Sequence, residues 1–439
     1  MTLIAASIGL TITIAVIASL VLILFMVAIL LFTKQKLAPS GPVQIVINEE
    51  NTITVASGGN LLATLSQANI FLPSACGGGG TCIQCTCHVD EGGGEALATE
   101  TPHFTRAEIK EGIRLSCQVK VKQDMKIRVP EEIFGIKKFE ATVVRNYNVA
   151  SFIKEFVVEI PEDMNYKAGG YIQIEVPECE IKFSDFDIEA HPTDHPGEPD
   201  KFKAEWDKFD LWPLVMKNDE LTERAYSMAS FPAEGREIML NVRIATPPWD
   251  RNNNRWMDVN PGIASTYIFN LKVGDKCTIS GPFGDFFINE DSDAEMIYIG
   301  GGAGMAPMRS HLFELFHTLK TDRKVSYWYG GRSRQELFYI HYFKELENQF
   351  PNFKFYMVLS EPLEEDNWKV KENMDDEEGD GFVGFVHQAL IDNYLQHHEF
   401  PEDVEIYFCG PPLMNKAVEK MVDDFGIPPE NVRFDDFGE

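Results

Sequence analysis

The sequence predicts a multidomain protein: an N-terminal transmembrane helix, a small α+β domain, an antiparallel β-barrel domain and an α/β domain with a parallel sheet. Three observations carry this. Residues 3–32 hold no charged side chain. Cys76, Cys82, Cys85, Cys87 and Cys117 crowd into one short region. Near residue 289 the apolar pattern changes from short, evenly spaced strands to strand–helix alternation. With 439 residues, 44% of them hydrophobic, the chain has room for about three domains at ~150 residues each. The expected boundaries are 1–35, 36–130, 131–288 and 289–439.

The apolar run comes first. Thirty residues at ~1.5 Å rise would reach ~45 Å, against a hydrocarbon core of ~30 Å, so the segment can span once. A cleaved signal peptide needs a basic n-region and a shorter apolar stretch; here no Lys or Arg precedes the run. Lys34 and Lys36 follow it, which places the rest of the chain on the cytoplasmic side. Thiols there favour metal ligation over disulfides. The formal charge of −29, from 39 Lys+Arg against 68 Asp+Glu, repels nucleic acid and anionic headgroups. Membrane association must therefore rest on buried apolar surface.

After a hinge near Pro39-Ser40-Gly41-Pro42, residues 43–56 alternate about a polar turn and read as a β-hairpin. Residues 60–67 read as a short helix, and 113–129 as further β pattern. From 139 to 287, short strands at regular spacing predict an antiparallel barrel, interrupted by a polar, aromatic-rich insert at 183–221 with no function legible in it. From 295 onward the alternation predicts a parallel α/β sheet. It includes helices over 306–319 and 335–350 and a solvated acidic loop at 361–381.

The cysteine segment reads SACGGGGTCIQCTCH, with a distant partner in LSCQ. A [2Fe–2S] cluster takes four thiolates, and Cys76, Cys82, Cys85 and Cys117 supply them. Gly77 to Gly80 let the loop curl closely around the cluster, with N–H groups free to face its sulfides. The rival reading is a zinc site of Cys82, Cys85, Cys87 and His88, which leaves Cys76, Cys117 and the glycines without a purpose. Cys87 is expected to be a non-ligand pointing into the domain. The Cys-x5-Cys-x2-Cys spacing resembles the adrenodoxin-like branch of the ferredoxins, which implies a ferredoxin-like β-grasp fold.

In the barrel, Arg224 suits a pyrophosphate, Tyr226 can stack on a flat ring, and Ser227 can donate to a ring nitrogen. On composition alone, an ordinary strand would serve equally. The run RAYSMAS, however, resembles the R-x-Y-S signature of the ferredoxin–NADP⁺ reductase superfamily. That resemblance implies FAD, with Arg224 on its phosphate, Tyr226 on the isoalloxazine and Ser227 near N5. Gly262, Ser265 and Thr266 open a helix similar to the superfamily's second flavin-phosphate segment. The loop Gly301-Gly302-Ala303-Gly304-Met305-Ala306-Pro307 lies between a strand and a helix, where a backbone can approach a pyrophosphate; it resembles the superfamily's nicotinamide-dinucleotide loop. Gly331 and Arg332 should lie near the adenosine half. Arg332 and Arg334 suit a 2′-phosphate while Glu336 opposes one, so these residues only lean toward NADH. Cys409-Gly410-Pro411 resembles the superfamily's C-G-P segment beside the nicotinamide; Cys409 lines the hydride path or is a small buried filler. Phe437 resembles the C-terminal aromatic residue that covers the flavin.

NADH gives two electrons as hydride, and a [2Fe–2S] cluster takes one at a time. The implied order is NADH, FAD, cluster, outside acceptor, with Tyr226, Ser227, Cys409 and Phe437 at the reacting face. The order of anchor, ferredoxin, flavin and nucleotide domains, with segments such as NVRIATPP, DKCTISGPFGDFF and GGGAGMAPMRSH, resembles the F subunits of the sodium-translocating NADH:quinone reductases. The resemblance implies a bacterial inner-membrane location, membrane partner subunits that pass electrons to quinone, and sodium transport by the complex. A single span without intramembrane charge is no ion pathway. The alternatives are a membrane-tethered reductase of a multicomponent oxygenase and a zinc-bearing membrane adaptor.

Overall fold

The computed structural model describes Ile17 and residues 19–27, 41–74 and 76–436. Most of the expected anchor, and Phe437, lie outside the described residues. Residues 19–27 are helical, and the apolar side chains of residues 20–27 are all exposed. Among the described residues no helix is long and apolar enough to cross a membrane. By its contacts the chain falls into two units: Met1–Leu72 with Ile83–Phe134, and Pro73–Cys82 with Gly135–Glu439.

Beyond the helix at 19–27, the described residues of the first unit form a mixed sheet with two short α-helices. Strands β1 (Pro42–Ile47) and β2 (Asn51–Ala56) form the expected hairpin, pairing Ile45 with Ile53. Val43, Ile45 and Ile47 alternate inward on β1, as a half-buried strand requires. Helix α1 (Leu61–Gln67) begins at Asn60, whose side chain accepts from the Ala63 N–H at 2.8 Å and satisfies one orphan donor of the first turn. Strand β3 (Thr86–Glu91), helix α2 (Arg106–Lys110), β4 (Ile113–Leu115) and β5 (Met125–Arg128) complete the unit in the order β2-β1-β5-β3-β4. A capping box between Thr105 and Glu108 starts α2, an arrangement that ties two donors reciprocally. Arg114 is nearly fully buried; its Nε and Nη2 donate to Glu100 at 2.9 and 2.8 Å, and its other donors reach the Gly93, Gly94 and Glu95 carbonyls. One guanidinium thereby pins the 93–100 loop. The single β stretch expected over 113–129 is two short strands with a loop between.

The second unit carries a barrel and a parallel sheet. Strands β6 (Lys137–Ala150), β7 (Ile153–Glu159) and β8 (Tyr171–Val176) are followed by the insert's hairpin β9 (Cys179–Lys182) and β10 (Val215–Asn218), with α3 (Lys203–Lys208) between. Next come β11 (Thr222–Ser227), β12 (Glu237–Arg243), a small ribbon β13 (Trp249–Asp250) and β14 (Arg255–Trp256), α4 (Ile263–Asn270) and β15 (Lys276–Phe283). The order β11-β8-β15-β6-β7-β12 is antiparallel throughout. A bridge between Met228 and Leu240 joins its two ends, so the sheet closes as the alternation predicted. The aromatic residues of the insert have a structural role: Trp206 is fully buried among Phe183, Phe186, Trp212 and Phe269.

The parallel sheet uses β16 (Met296–Gly301), α5 (Met305–Phe313), β17 (Val325–Gly331), α6 (Ile340–Gln349), β18 (Phe353–Leu359), β19 (Phe382–Val383), α7 (Val386–Asn393), β20 (Glu405–Cys409), α8 (Pro412–Phe425) and β21 (Val432–Asp435). The strand order β19-β18-β17-β16-β20-β21 reverses direction between β16 and β20, the switch point where open α/β sheets bind ligands. Helix α6 starts at Ile340, not 335: Leu337 is extended, Leu337 and Phe338 are buried in the core, and Tyr339 takes φ +60° before the helix begins.

Candidate functional site

The cysteine loop curls where its glycines predict. Gly77, Gly78 and Gly80 take φ of +61°, +89° and +80°, a region costly for other residues. Cys76 shares a hydrogen bond with Cys82 and receives the N–H groups of Cys82, Thr81 and Gly80. These bonds, the Cys82 contact foremost, lower its thiol to about 3. Cys85 and Cys117 form a second hydrogen-bonded pair that raises the Cys85 thiol well above its ordinary range. Gln118 Nε2 donates to Cys117 Sγ at 3.4 Å. Among the described residues no three or more His, Cys, Asp or Glu side chains stand arranged to hold a metal ion. The four thiols stand as two pairs, Cys76 with Cys82 and Cys85 with Cys117. The zinc set does not converge. Cys87 and His88 are successive residues of β3 and face opposite sides: Cys87 is buried, which pushes its thiol up to about 12, whereas His88 points out to Arg128 Nη2 at 3.3 Å.

In the barrel, Arg224, Tyr226 and Ser227 lie on β11. Arg224 Nη1 folds onto the Glu223 carbonyl at 2.7 Å. The Tyr226 ring packs against the barrel core. Gly262 precedes α4 with no side-chain cap, which leaves first-turn N–H groups open to an anion. A Cβ on Gly262 would stand 2.5 Å from Ala245 Cβ. Ser265 Oγ accepts from the Ala245 N–H at 3.1 Å and donates to the Gly262 carbonyl at 3.2 Å, which holds the turn closed. Thr266 is fully buried with its Oγ1 unpartnered. An uncapped helix start, an orphaned hydroxyl and an available tyrosine ring fit a flavin dinucleotide.

At the switch point, two loops meet with no room for a side chain. A Cβ on Gly304 would sit 2.1 Å from the Cys409 carbonyl oxygen, and one on Gly410 would sit 2.3 Å from Met414 Cε. One on Gly301 would press Met414 Sδ and Pro411 Cδ at 3.0 and 3.3 Å. Gly302 takes φ +57°. This cradle of bare backbone at the start of α5 fits a pyrophosphate. Met305 and Pro307 are buried, with Met305 Sδ accepting from Tyr327 Oη at 3.5 Å, so their side chains pack the helix rather than line the crevice. Gly331 ends β17 and Arg332 is exposed beside it. Cys409 is fully buried, and burial keeps its thiol well above its ordinary range.

Asp435 was not legible as a site residue. It ends β21 in register with Cys409 on β20, and its Oδ2 accepts from Ser227 Oγ. The carboxyl is raised to about 6, by burial first and then by Asp285 and Asp436. This bond brings the flavin-type strand of the barrel to the tip of the nucleotide sheet, with Cys409 alongside. Phe437 lies outside the described residues.

The family model for a 2Fe-2S iron-sulfur cluster binding domain matches residues 45–122, and that for an oxidoreductase NAD-binding domain matches residues 298–420. Among solved structures, a cytochrome P450 reductase from Amycolatopsis aligns with TM-score 0.59 at 21% identity, over 90% of this chain and 98% of that one. The ferredoxin reductase of carbazole 1,9a-dioxygenase aligns with TM-score 0.56 at 21% identity, over 91% and 99%. These likenesses show the fold. Among curated relatives, the F subunit of the Na(+)-translocating NADH-quinone reductase of Pseudomonas aeruginosa is 51% identical over 95% of this chain and 96% of its own length. Its counterpart in Neisseria meningitidis is 50% identical over 95% and 97%. Near-complete coverage at half identity settles the relationship: the chain belongs to the family of F subunits of the Na(+)-translocating NADH-quinone reductases.

Proposed function

We propose that this chain is the electron-input subunit of a membrane-bound sodium-translocating NADH:quinone reductase, and that it oxidises NADH. The observation that carries the proposal is the Ser227–Asp435 hydrogen bond. It joins the barrel strand bearing Arg224 and Tyr226 to the crevice formed by Gly301, Gly302, Gly304 and Gly410. When bound, FAD would accept hydride from NADH and pass electrons singly to the [2Fe–2S] cluster, and the chemistry would belong to those groups.

The residues position and insulate. Gly301, Gly302 and Gly304, with Met305 and Pro307 packed behind them, would cradle the NADH pyrophosphate. Gly331 and Arg332 would flank its adenosine half, and Cys409, Gly410 and Pro411 would wall the nicotinamide end. Burial keeps Cys409 a neutral thiol, so it excludes water without adding charge. Arg224, Gly262, Ser265 and Thr266 would hold the flavin's phosphates and Tyr226 would stack on its ring, with Phe437 the candidate for its other face; Ser227, whose hydroxyl donates to Asp435, would present its oxygen to the ring. Cys76, Cys82, Cys85 and Cys117 would hold the iron.

The chain is read as tethered to the bacterial inner membrane by one N-terminal helix within 1–35, with domains 36–130, 131–288 and 289–439 in the cytoplasm. The uncharged run of residues 3–32 and the exposed apolar helix at 20–27 support that reading. Other membrane subunits would take the electrons on to quinone and move sodium. The test is detergent purification from membranes, with assays for bound flavin, iron, NADH oxidation and co-purifying subunits. A preparation with no flavin and no iron, or one that does not oxidise NADH, overturns the proposal.

A further inference from the structure

The insert at 183–221 reaches the nucleotide sheet through one buried turn. Trp206 on α3 is fully buried, and its Nε1 donates to the Ser151 carbonyl at 2.7 Å. The strand leading into that turn is held by the insert as well: the Asn148 N–H donates to the Glu189 carbonyl at 2.9 Å, and the His191 N–H to the Asn148 carbonyl at 2.8 Å. Lys154 Nζ, just past the turn, donates to the Asp187 carbonyl at 2.6 Å. Ser151, with no exposed surface, donates its hydroxyl to Glu336 Oε1 at 2.5 Å.

Glu336 follows the C-terminal end of β17, the strand next to the glycine loop's own strand. In doubly wound sheets an acidic residue after that strand recognises the ribose 2′-hydroxyl. Arg243 lies close to it, with Arg332 near Arg243: burial lowers the Arg243 pKa, Glu336 opposes the lowering, and Arg332 adds to it. Two guanidiniums would suit a 2′-phosphate; the fixed carboxylate beside Arg243 disfavours one. A carboxylate free to rotate away would discriminate less.

We infer that Ser151, braced by Trp206 and the insert, is a positioning residue that orients Glu336 and so sets the preference for NADH over NADPH. The inference rests on the proposed placement of the adenosine half beside β17. The test uses the full-length detergent-purified protein. It measures dissociation constants for 5′-AMP and adenosine 2′,5′-bisphosphate, and KM for NADH and NADPH. Glu336→Gln should erode discrimination against the 2′-phosphate by about tenfold or more, the worth of one charge-assisted contact. Ser151→Ala and Trp206→Phe should each erode it in the same direction, through KM. In the double variant, Ser151→Ala should add nothing to Glu336→Gln, because its effect runs through that carboxylate. Unchanged discrimination in Ser151→Ala, or full additivity in the double variant, overturns the inference. A wild-type protein that binds neither nucleotide and oxidises neither coenzyme overturns the placement of the nucleotide itself.

Discussion

Replacing Gly304 by Ala tests the nucleotide cradle with a single methyl group. Gly304 stands at φ −60°, so alanine meets no backbone strain of its own. Its Cβ, however, would lie 2.1 Å from the Cys409 oxygen, 2.4 Å from its carbonyl carbon and 2.9 Å from the Gly410 nitrogen. All three are main-chain atoms on the opposite loop, which no rotamer change can move. Ordinary contact begins near 3.4 Å, so the loops must part by about 1.3 Å. Misplacing reacting partners by about 1 Å can cost ~10²-fold in rate. Rapid mixing of NADH with the purified variant should therefore show flavin reduction slowed by about that factor, with the flavin still bound. Gly135→Ala, whose Cβ meets nothing within 4 Å, is the control. Wild-type reduction kinetics in Gly304→Ala would refute the reasoning that these two loops form the hydride site.

Three further perturbations probe other parts. Cys82→Ala should abolish bound iron yet spare flavin reduction by NADH, read by iron assay and stopped-flow absorbance; loss of both activities would show that the order NADH, flavin, cluster is wrong. Asp435→Asn should flatten the pH profile of the hydride step around pH 6, where the carboxyl titrates. Because that pKa is raised above the usual carboxylate value, the group's stabilising contribution is lost as pH rises through about 6, so the Asn variant should gain more in melting temperature at pH 7.5 than at pH 5. Arg309→Met should destabilise the protein by about 2–3 kcal/mol in denaturant unfolding. Arg309 is 3% exposed and donates to Glu234 at 2.7 and 3.0 Å and to the Ala229 carbonyl at 2.7 Å. Breaking a buried pair costs ~3–5 kcal/mol, reduced here because Glu234 keeps partial access to water.

What the sequence made legible is what short spacing encodes. Alternation over 43–56 marks a hairpin because successive side chains must face opposite sides. The Cys76–Cys85 spacing with its glycines marks a loop curled around a group. The glycine loop between strand and helix marks a phosphate cradle. Strand β3 was missed because TCHVDE offers only Cys87 and Val89 as inward apolar residues, and its cysteine belongs visibly to another pattern. The insert was opaque because its aromatic residues serve a local core around Trp206, with no periodicity of their own. Asp435 was opaque for a different reason. Its partner Ser227 lies 208 positions away, and only folding brings the last strand of the nucleotide sheet to the barrel. The same holds for Ser151 and Glu336, 185 positions apart.

Anaerobic mixing of the intact, detergent-purified chain with NADH, followed by absorbance and by rapid-freeze electron paramagnetic resonance, tests the central claim most directly. Flavin bleaching should come first and the signal of a reduced two-iron cluster second, with a flavin-stripped sample giving no cluster signal. A cluster reduced by NADH without flavin, or a chain that carries no iron, would contradict the account.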